Sequence, residues 1–157
     1  MSRSVTSPSS SDAALTSQIA ANLHARILGK EATIAILGMG YVGFPLAIAC
    51  HTQGFRVIGF DVDVKKIAAL HAGQSYLKGI EASFVQTLNS DGRFVASSDP
   101  QVLRQADVLL ICVPTPLTKY REPDMHFVEA TTRTIAQTLR AGQLVVLEST
   151  TYPATTD

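Results

Sequence analysis

The chain has no excess of charge of either sign, few cysteines and no long apolar run. Its 13 basic and 13 acidic residues give a net charge of zero, and no basic stripe marks a surface for nucleic acid. Both cysteines, Cys50 and Cys112, lie in apolar stretches, so we expect free, buried thiols in a reducing compartment. No uninterrupted apolar run reaches the roughly 18 residues of a membrane span, so we expect no membrane partner.

The amino terminus also lacks the apolar segment of a secretory signal, although Arg3 is near its start. The cytoplasm is therefore the expected compartment. Residues 1–12 are serine-rich and can bury little, so we expect a disordered tail there. Residues 13–157 are of a length that suits a single domain. The chain is 46% hydrophobic, which is enough for a sizeable core.

The most informative motif is a glycine-rich turn between an apolar run and a helical pattern. Residues 32–37 form the apolar run, and residues 38–43 read Gly-Met-Gly-Tyr-Val-Gly. A second apolar run, 55–60, ends in Asp61, eighteen residues after Gly43. Strand, Gly-x-Gly-x-x-Gly turn, helix, strand and terminal acid together make the dinucleotide-binding fingerprint. A glycine-rich turn without a ligand is the alternative.

Each glycine meets a separate requirement of a bound diphosphate. Gly38 permits the tight turn out of the strand, Gly40 lets the pyrophosphate approach the main chain, and Gly43 lets the helix pack closely on the strand. The start of the helix supplies free N–H groups and the positive end of its dipole. Pro45 removes one donor and can kink the first turns of that helix.

Asp61 indicates which dinucleotide to expect. At the end of the second strand its carboxylate can accept hydrogen bonds from ribose hydroxyls and repels a 2′-phosphate, which favours NAD over NADP. Lys65 and Lys66 follow closely. They leave NADP open, because a nearby cation can accept a 2′-phosphate.

Hydrophobic periodicity predicts alternating helices and strands. We expect strands at 32–37, 56–60, 93–96, 108–113 and 143–147, the last two buried. We expect helices at 12–28 with Asp12 as its cap, from the glycine turn to 53, and at 63–72, 81–88, 99–105 and 125–139. This alternation is typical of a doubly wound, mostly parallel α/β sheet (a Rossmann fold) with strand order 3-2-1-4-5. His51 and His71 are expected on helix surfaces, without a metal site.

Four segments converge on one edge of such a sheet. They are the fingerprint turn, Asp61, the loop 114–116 and residues 148–151. Ligands bind beyond the carboxyl ends of parallel strands, where the strand order reverses. We therefore expect the dinucleotide at this edge.

Several of these segments resemble the UDP-glucose/GDP-mannose dehydrogenase superfamily, the nucleotide-sugar 6-dehydrogenases. They are Gly-Met-Gly-Tyr-Val-Gly-Phe-Pro-Leu-Ala at 38–47, Gly-Phe-Asp-Val-Asp at 59–63, Cys-Val-Pro-Thr-Pro-Leu at 112–117 and Glu-Ser-Thr-Thr-Tyr-Pro at 148–153. Ser-Tyr-Leu-Lys at 75–78 and Arg-Glu-Pro-Asp at 121–124 are similar to the branch that acts on UDP-N-acetylhexosamines.

The resemblance implies a function and a set of cofactor contacts. The family oxidises the C6 alcohol of a UDP-sugar to a carboxylate in two NAD-dependent steps, through a thiohemiacetal and a thioester on a cysteine, and so makes polysaccharide precursors. A homo-oligomer is implied for the full-length protein. The implied NAD contacts are Gly38, Met39, Gly40, Tyr41, Val42, Gly43, Asp61, Lys66, Pro114, Thr115, Pro116 and Thr150. Thr150 is further expected near the reacting centre, although capping hydroxyls are the alternative for Thr115 and Thr150.

Family members continue into a helical middle domain and a sugar-binding domain, which carry the catalytic cysteine and its partners. We expect none of these catalytic residues here, and neither Cys50 nor Cys112 is assigned as the nucleophile. The expected function is thus the NAD-binding domain of a UDP-sugar 6-dehydrogenase, inactive alone, with its UDP-sugar bound only when the further domains are present. A free-standing, non-catalytic dinucleotide-binding module is the alternative, and the reading frame beyond Asp157 distinguishes the two. A 3-hydroxyacid dehydrogenase fits the loops at 114–116 and 148–151 poorly.

Overall fold

The computed structural model describes residues 10–117, 119 and 123–151. The elements in chain order are α1 (Ser10–Leu28), β1 (Thr33–Leu37), α2 (Gly43–Thr52), β2 (Arg56–Phe60), α3 (Val64–His71), α4 (Ala82–Ser90), β3 (Phe94–Ser97), a 3₁₀ helix (Pro100–Gln105), β4 (Val108–Ile111), α5 (His126–Ala136) and β5 (Leu144–Leu147). Predictions for residues 1–9, 118, 120–122 and 152–157 lie outside the described part.

The five strands form one parallel sheet in the order β3-β2-β1-β4-β5, which confirms the predicted fold class and strand order. The central strand, β1, pairs Leu37 with Phe60 of β2 and with Ile111 of β4. The carboxyl ends of these three strands therefore lie side by side. Because the chain crosses from one side of β1 to the other between β3 and β4, this edge is also where the strand order reverses.

The core lies on both faces of the sheet, and β1 contributes to both in alternation. Ile34 and Ile36 pack in a cluster with residues of α2, α3 and α4. Ala35 and Leu37 pack on the opposite face with residues of the 3₁₀ helix and α5. This is what two-residue periodicity dictates for a strand that is covered by helices on both sides.

The last strand, β5, is less buried than its sequence predicts. Leu144 is 43% exposed and Val145 is 40% exposed. β5 is an edge strand, paired only with β4 among the described residues. The prediction of a buried strand is therefore wrong for β5. An apolar run shows that a strand can be buried, but not whether a neighbouring element covers it.

The amino terminus differs from the prediction in one respect. Residues 10–12 belong to α1, so the helix begins before Asp12 and Asp12 is not its cap, while the disorder of the tail stays a prediction. The other end of α1 is fixed by Leu23 and Ile27, which pack against the core. Once a helix is nucleated there, each added residue forms one further backbone hydrogen bond. This lets the helix extend into the serine-rich stretch.

His51 is buried, and its prediction as a surface residue is wrong. It is 4% exposed, and its Nε2 lies 3.0 Å from Oδ1 of Asp91. Hydrogen bonds from the Arg93 N–H and from the His51 ring hold the pKa of Asp91 well below its usual range. The partners are 40 residues apart in the chain, so no local spacing reveals the pair. His71 is exposed, with Nε2 2.9 Å from the carbonyl of Ala96.

Two classes of feature are not found in the part of the chain that the structure describes. No group of three or more His, Cys, Asp or Glu side chains there is placed to hold a metal ion. No helix within the same residues has the length and apolar character needed to cross a membrane.

Candidate functional site

The turn after β1 is fixed by its first and last glycines. Gly38 has φ of +100°, and a Cβ there would lie 2.8 Å from the carbonyl oxygen of Cys112. A Cβ on Gly43 would lie 2.0 Å from the carbonyl oxygen of Gly38. Neither position has room for a side chain, since backbone atoms would have to move. The turn and the start of α2 are thus packed directly against the ends of β1 and β4.

Gly40 differs from these two glycines because it faces open space. No atom lies within 4 Å of the place where its Cβ would stand, and the residue lines a cleft. Among the described residues, the N–H groups of Gly40, Tyr41 and Val42 donate to no acceptor. Free N–H groups at a helix start beside an unobstructed backbone provide what a phosphate requires.

Pro45 does not disturb this arrangement. It is the third residue of α2, in the first turn, where backbone N–H groups have no partner within the helix. The helix continues without a break to Thr52, so Pro45 does not interrupt it.

Asp61 is buried at the end of β2 and binds the glycine turn. Its Oδ2 accepts hydrogen bonds from the Met39 N–H at 2.8 Å and from Nζ of Lys66 at 2.7 Å. Its Oδ1 accepts one from the Asp63 N–H at 2.9 Å. An ionised carboxylate offers about four lone-pair sites, so Oδ1 keeps capacity for a further donor. Asp61 also lines the cleft, where a ribose hydroxyl can supply that donor.

The two lysines after β2 occupy different positions. Lys66 forms an ion pair with Asp61, and its side chain is 32% exposed. Its charge is therefore already balanced by a carboxylate. Lys65 is exposed, and its backbone N–H donates to the Asp63 side chain at the start of α3. Lys66, the lysine that contacts Asp61, is thus already paired with it.

The cleft has a volume of about 600 Å³ and lies at the carboxyl ends of β1, β2 and β4, within the range of about 300–1,000 Å³ common for ligand sites. Its lining residues are Leu37, Gly38, Gly40, Tyr41, Val42, Phe60, Asp61, Val62, Asp63, Lys66, Leu77, Cys112, Val113, Pro114, Phe127, Ala130, Thr131 and Thr134. The cleft thus combines an open backbone at Gly40, unpaired N–H groups and a carboxylate. Together these features fit a dinucleotide.

The structure brings most of the predicted site residues to the cleft, but Met39, Gly43 and three residues of the later loops are not among its lining residues. Pro114 lines the cleft, whereas Thr115, Pro116 and Thr150 are not among its lining residues. The carbonyl of Pro116 accepts a hydrogen bond from the Asp124 N–H at 2.7 Å. Thr115 is half-buried, and Pro116 and Thr150 are exposed. Their contacts with a cofactor stay predictions.

Met39 lies below the surface of the site rather than on it. The residue is fully buried and is not among the lining residues of the cleft. Its backbone N–H donates to Asp61. Its predicted contact with the cofactor is not tested.

One wall of the cleft was not predicted from the sequence. Residues Phe127, Ala130, Thr131 and Thr134 of α5 form it, at the spacing that places side chains on one helix face. The buried residues of α5 are Val128 and Ile135, and Ile135 packs in the same cluster as Ala35 and Leu37 of β1. The position of α5 directly after the switch in strand order is the signal that indicates a helix beside the ligand.

Cys112 is buried at the inner side of the cleft. Burial, followed by the charge of Glu148, raises the pKa of its thiol to about 11. Burial likewise raises the pKa of Cys50, which is only half-buried. Since the thiolate is the reactive form, both thiols stay protonated at neutral pH. That neither cysteine is a nucleophile stays a prediction.

The region of the chain that contains this site is similar in sequence to known proteins. The family model for the "UDP-glucose/GDP-mannose dehydrogenase family, NAD binding domain" matches residues 32–157. UDP-N-acetyl-D-mannosamine dehydrogenase of Escherichia coli K12 is 36% identical over 126 residues, which is 80% of this chain and 30% of that protein. The chain therefore spans less than a third of this relative's length.

Two solved structures share the fold over the same region. The UDP-D-ManNAc dehydrogenase of Pyrococcus horikoshii superposes with a TM-score of 0.74 at 33% identity, over 79% of this chain and 30% of that one. A UDP-glucose dehydrogenase from Pyrobaculum islandicum gives a TM-score of 0.74 at 30% identity, with the same coverage of both chains. The strand order, the glycine turn and the match over residues 32–157 together show that this chain belongs to the UDP-glucose/GDP-mannose dehydrogenase family and contains its NAD-binding domain.

Proposed function

We propose that the cleft at the carboxyl ends of β1, β2 and β4 holds NAD, and that the chain is the cofactor domain of an enzyme that oxidises the C6 alcohol of a UDP-N-acetylhexosamine to a carboxylate. The observation that carries the proposal is Gly40, which is open to solvent beside unpaired N–H groups and shares a cleft with Asp61.

The pyrophosphate is assigned to the glycine turn. At Gly40 the backbone can be approached without meeting a side chain, and the N–H groups of Gly40, Tyr41 and Val42 are free to donate among the described residues. The start of α2 adds the positive end of a helix dipole. Gly38 and Gly43 hold this geometry through their close packing against backbone atoms.

The adenosine ribose is assigned to Asp61. Its carboxylate is held in place by the Met39 and Asp63 N–H groups and by Lys66, so little ordering remains to be done when a hydroxyl binds. A 2′-phosphate at the same place would meet this carboxylate, while the charge of Lys66 is already balanced. This supports NAD over NADP and gives Lys66 a positioning role.

Bound NAD would supply the hydride acceptor for oxidation of the sugar alcohol. This chain contributes the cofactor site at the carboxyl ends of β1, β2 and β4. The side of α5 from Phe127 to Thr134 lines the rest of the cleft. A UDP-N-acetylhexosamine is supported by the names of the Escherichia coli and Pyrococcus relatives and by the Ser75–Lys78 segment.

The test uses the complete reading frame from which these residues come, expressed beside the 157-residue chain. With a UDP-N-acetylhexosamine and NAD, the complete protein is expected to form two NADH per sugar, and the 157-residue chain to bind NAD without forming NADH. Turnover by the 157-residue chain would contradict the proposal, as would oxidation of UDP-glucose in preference to the N-acetylated sugars. A stop codon directly after Asp157, with NAD binding retained, would instead support the non-catalytic module.

A further inference from the structure

Met39, between the first two glycines of the turn, is held from two sides. Its N–H donates to Asp61 at 2.8 Å. Its carbonyl accepts a hydrogen bond from the hydroxyl of Tyr76 at 2.7 Å. Tyr76 belongs to the connection between α3 and α4, some 37 residues away in the chain. Neither the fingerprint motif nor the proposed function gives this tyrosine a role.

The Tyr76 hydrogen bond fixes the orientation of the next peptide group. The Met39 carbonyl and the Gly40 N–H belong to one planar trans peptide, in which the C=O and N–H bonds point in opposite directions. Holding the carbonyl toward Tyr76 therefore directs the Gly40 N–H away from it. Gly40 lines the cleft, and its N–H has no acceptor among the described residues.

Tyr76 is itself held firmly. Its ring stacks on Phe44, with centroids 5.6 Å apart and planes at 22°, and Phe44 is fully buried in the first turn of α2. The next residue, Leu77, lines the cleft. Burial, followed by the charges of Asp61 and Asp63, raises the pKa of Tyr76 above its ordinary value. The hydroxyl therefore keeps its proton and remains a donor at neutral pH.

We infer that Tyr76 is a positioning residue for the cofactor: its hydroxyl holds the Met39–Gly40 peptide in the orientation that presents the Gly40 N–H to the pyrophosphate. The inference rests on the proposed function. Tyr76 acts through the backbone and does not contact the cofactor. Without its hydroxyl the peptide can rotate, and part of the binding energy is then spent on restoring its orientation.

The experiment compares Tyr76→Phe with wild type in calorimetric titrations of the 157-residue chain. Phenylalanine keeps the stacking on Phe44 and removes only the donor. Loss of one neutral hydrogen bond that orders the site is expected to weaken NAD binding by about three- to tenfold. ADP-ribose, which carries the same pyrophosphate, should weaken by the same factor. Adenosine, which lacks it, should bind as it does to wild type in an NMR titration.

Asn89→Ala is the matched control. The Asn89 side chain donates to the carbonyl of Leu70 at 2.7 Å, so this variant also loses one side-chain bond to a partly buried carbonyl, but Asn89 is not among the cleft residues. Its thermal stability should fall by a similar amount to that of Tyr76→Phe while NAD affinity is unchanged. The NMR chemical shift of the Gly40 amide, measured without ligand, should change in Tyr76→Phe and stay as in wild type in Asn89→Ala.

The outcomes separate the two proposals. If wild type does not bind NAD in this cleft, the proposed function fails. If wild type binds NAD but Tyr76→Phe binds it equally well, or if adenosine weakens as much as NAD, the role of Tyr76 is refuted. An unchanged Gly40 amide chemical shift in Tyr76→Phe would refute it independently of any ligand.

Discussion

A methyl group added at Gly40 would project into the cleft without touching the protein. No atom lies within 4 Å of that Cβ position, and Gly40 is not among the glycines with positive φ. Gly40→Ala should therefore fold normally. Gly-to-Ala changes at compatible positions stabilise proteins by about 0.4–1 kcal/mol, through the unfolded chain. The melting temperature of the free chain should stay level or rise slightly.

The same methyl group occupies the space through which the pyrophosphate approaches the backbone. Displacing a phosphate from even one N–H group removes a charge-assisted hydrogen bond worth about 1.5–3 kcal/mol. Since about 1.4 kcal/mol corresponds to a factor of ten, the Kd for NAD should rise about 10- to 150-fold. Calorimetric titration measures this Kd, and thermal denaturation without ligand provides the stability.

Gly43→Ala is the contrasting variant in the same motif. Its Cβ would stand 2.0 Å from the Gly38 carbonyl oxygen, so backbone must move and overpacking should cost about 1–3 kcal/mol or more. Here the free chain loses stability before any ligand is added. If Gly40→Ala bound NAD as wild type does, or if it destabilised the chain as much as Gly43→Ala, the assignment of the pyrophosphate to this turn would be refuted.

Two further predictions concern the buried acids. Asp61→Ser should weaken NAD binding at least tenfold, through loss of a charged acceptor, and should shift preference toward NADP; an unchanged NAD-to-NADP ratio in paired titrations would refute the ribose assignment. Asp107 accepts hydrogen bonds from Arg26, Arg140 and the Thr33 N–H, so Asp107→Asn should destabilise the chain by about 2–4 kcal/mol at pH 7 in denaturant unfolding. Burial alone would raise the pKa of Asp107, but those hydrogen bonds outweigh it and lower the pKa from 3.8. The stabilisation is therefore present above that value and is lost as pH falls below it, so the difference between wild type and variant should shrink in acid and persist at pH 7.

Local signals account for the parts of the fold that sequence analysis predicted. The strand 56–60 has the predicted bounds, because an apolar run is flanked by a glycine on one side and an acid on the other. Right-handed crossovers limit the possible strand orders, and the order 3-2-1-4-5 is the one that accompanies the dinucleotide-binding fingerprint. The glycine turn and Asp61 were likewise identified from local signals, because a dinucleotide-binding site requires these residue types at this spacing along the chain.

The parts that sequence analysis missed depend on contacts between distant segments. His51 meets Asp91 across 40 residues, and Tyr76 meets Met39 across 37. Neither pairing leaves a local pattern. The exposure of β5 depends on what lies beyond it, and the α5 wall of the cleft depends on how a helix is rotated against the sheet. Such features follow from the three-dimensional arrangement and not from periodicity.

The measurement that tests the central claim most directly is a calorimetric titration of the 157-residue chain with NAD and, in parallel, with NADP. The account predicts saturable binding of one NAD per chain, with NADP bound more weakly because Asp61 opposes a 2′-phosphate while Lys66 is already paired. Absence of saturable NAD binding by the folded chain, or tighter binding of NADP, would contradict it.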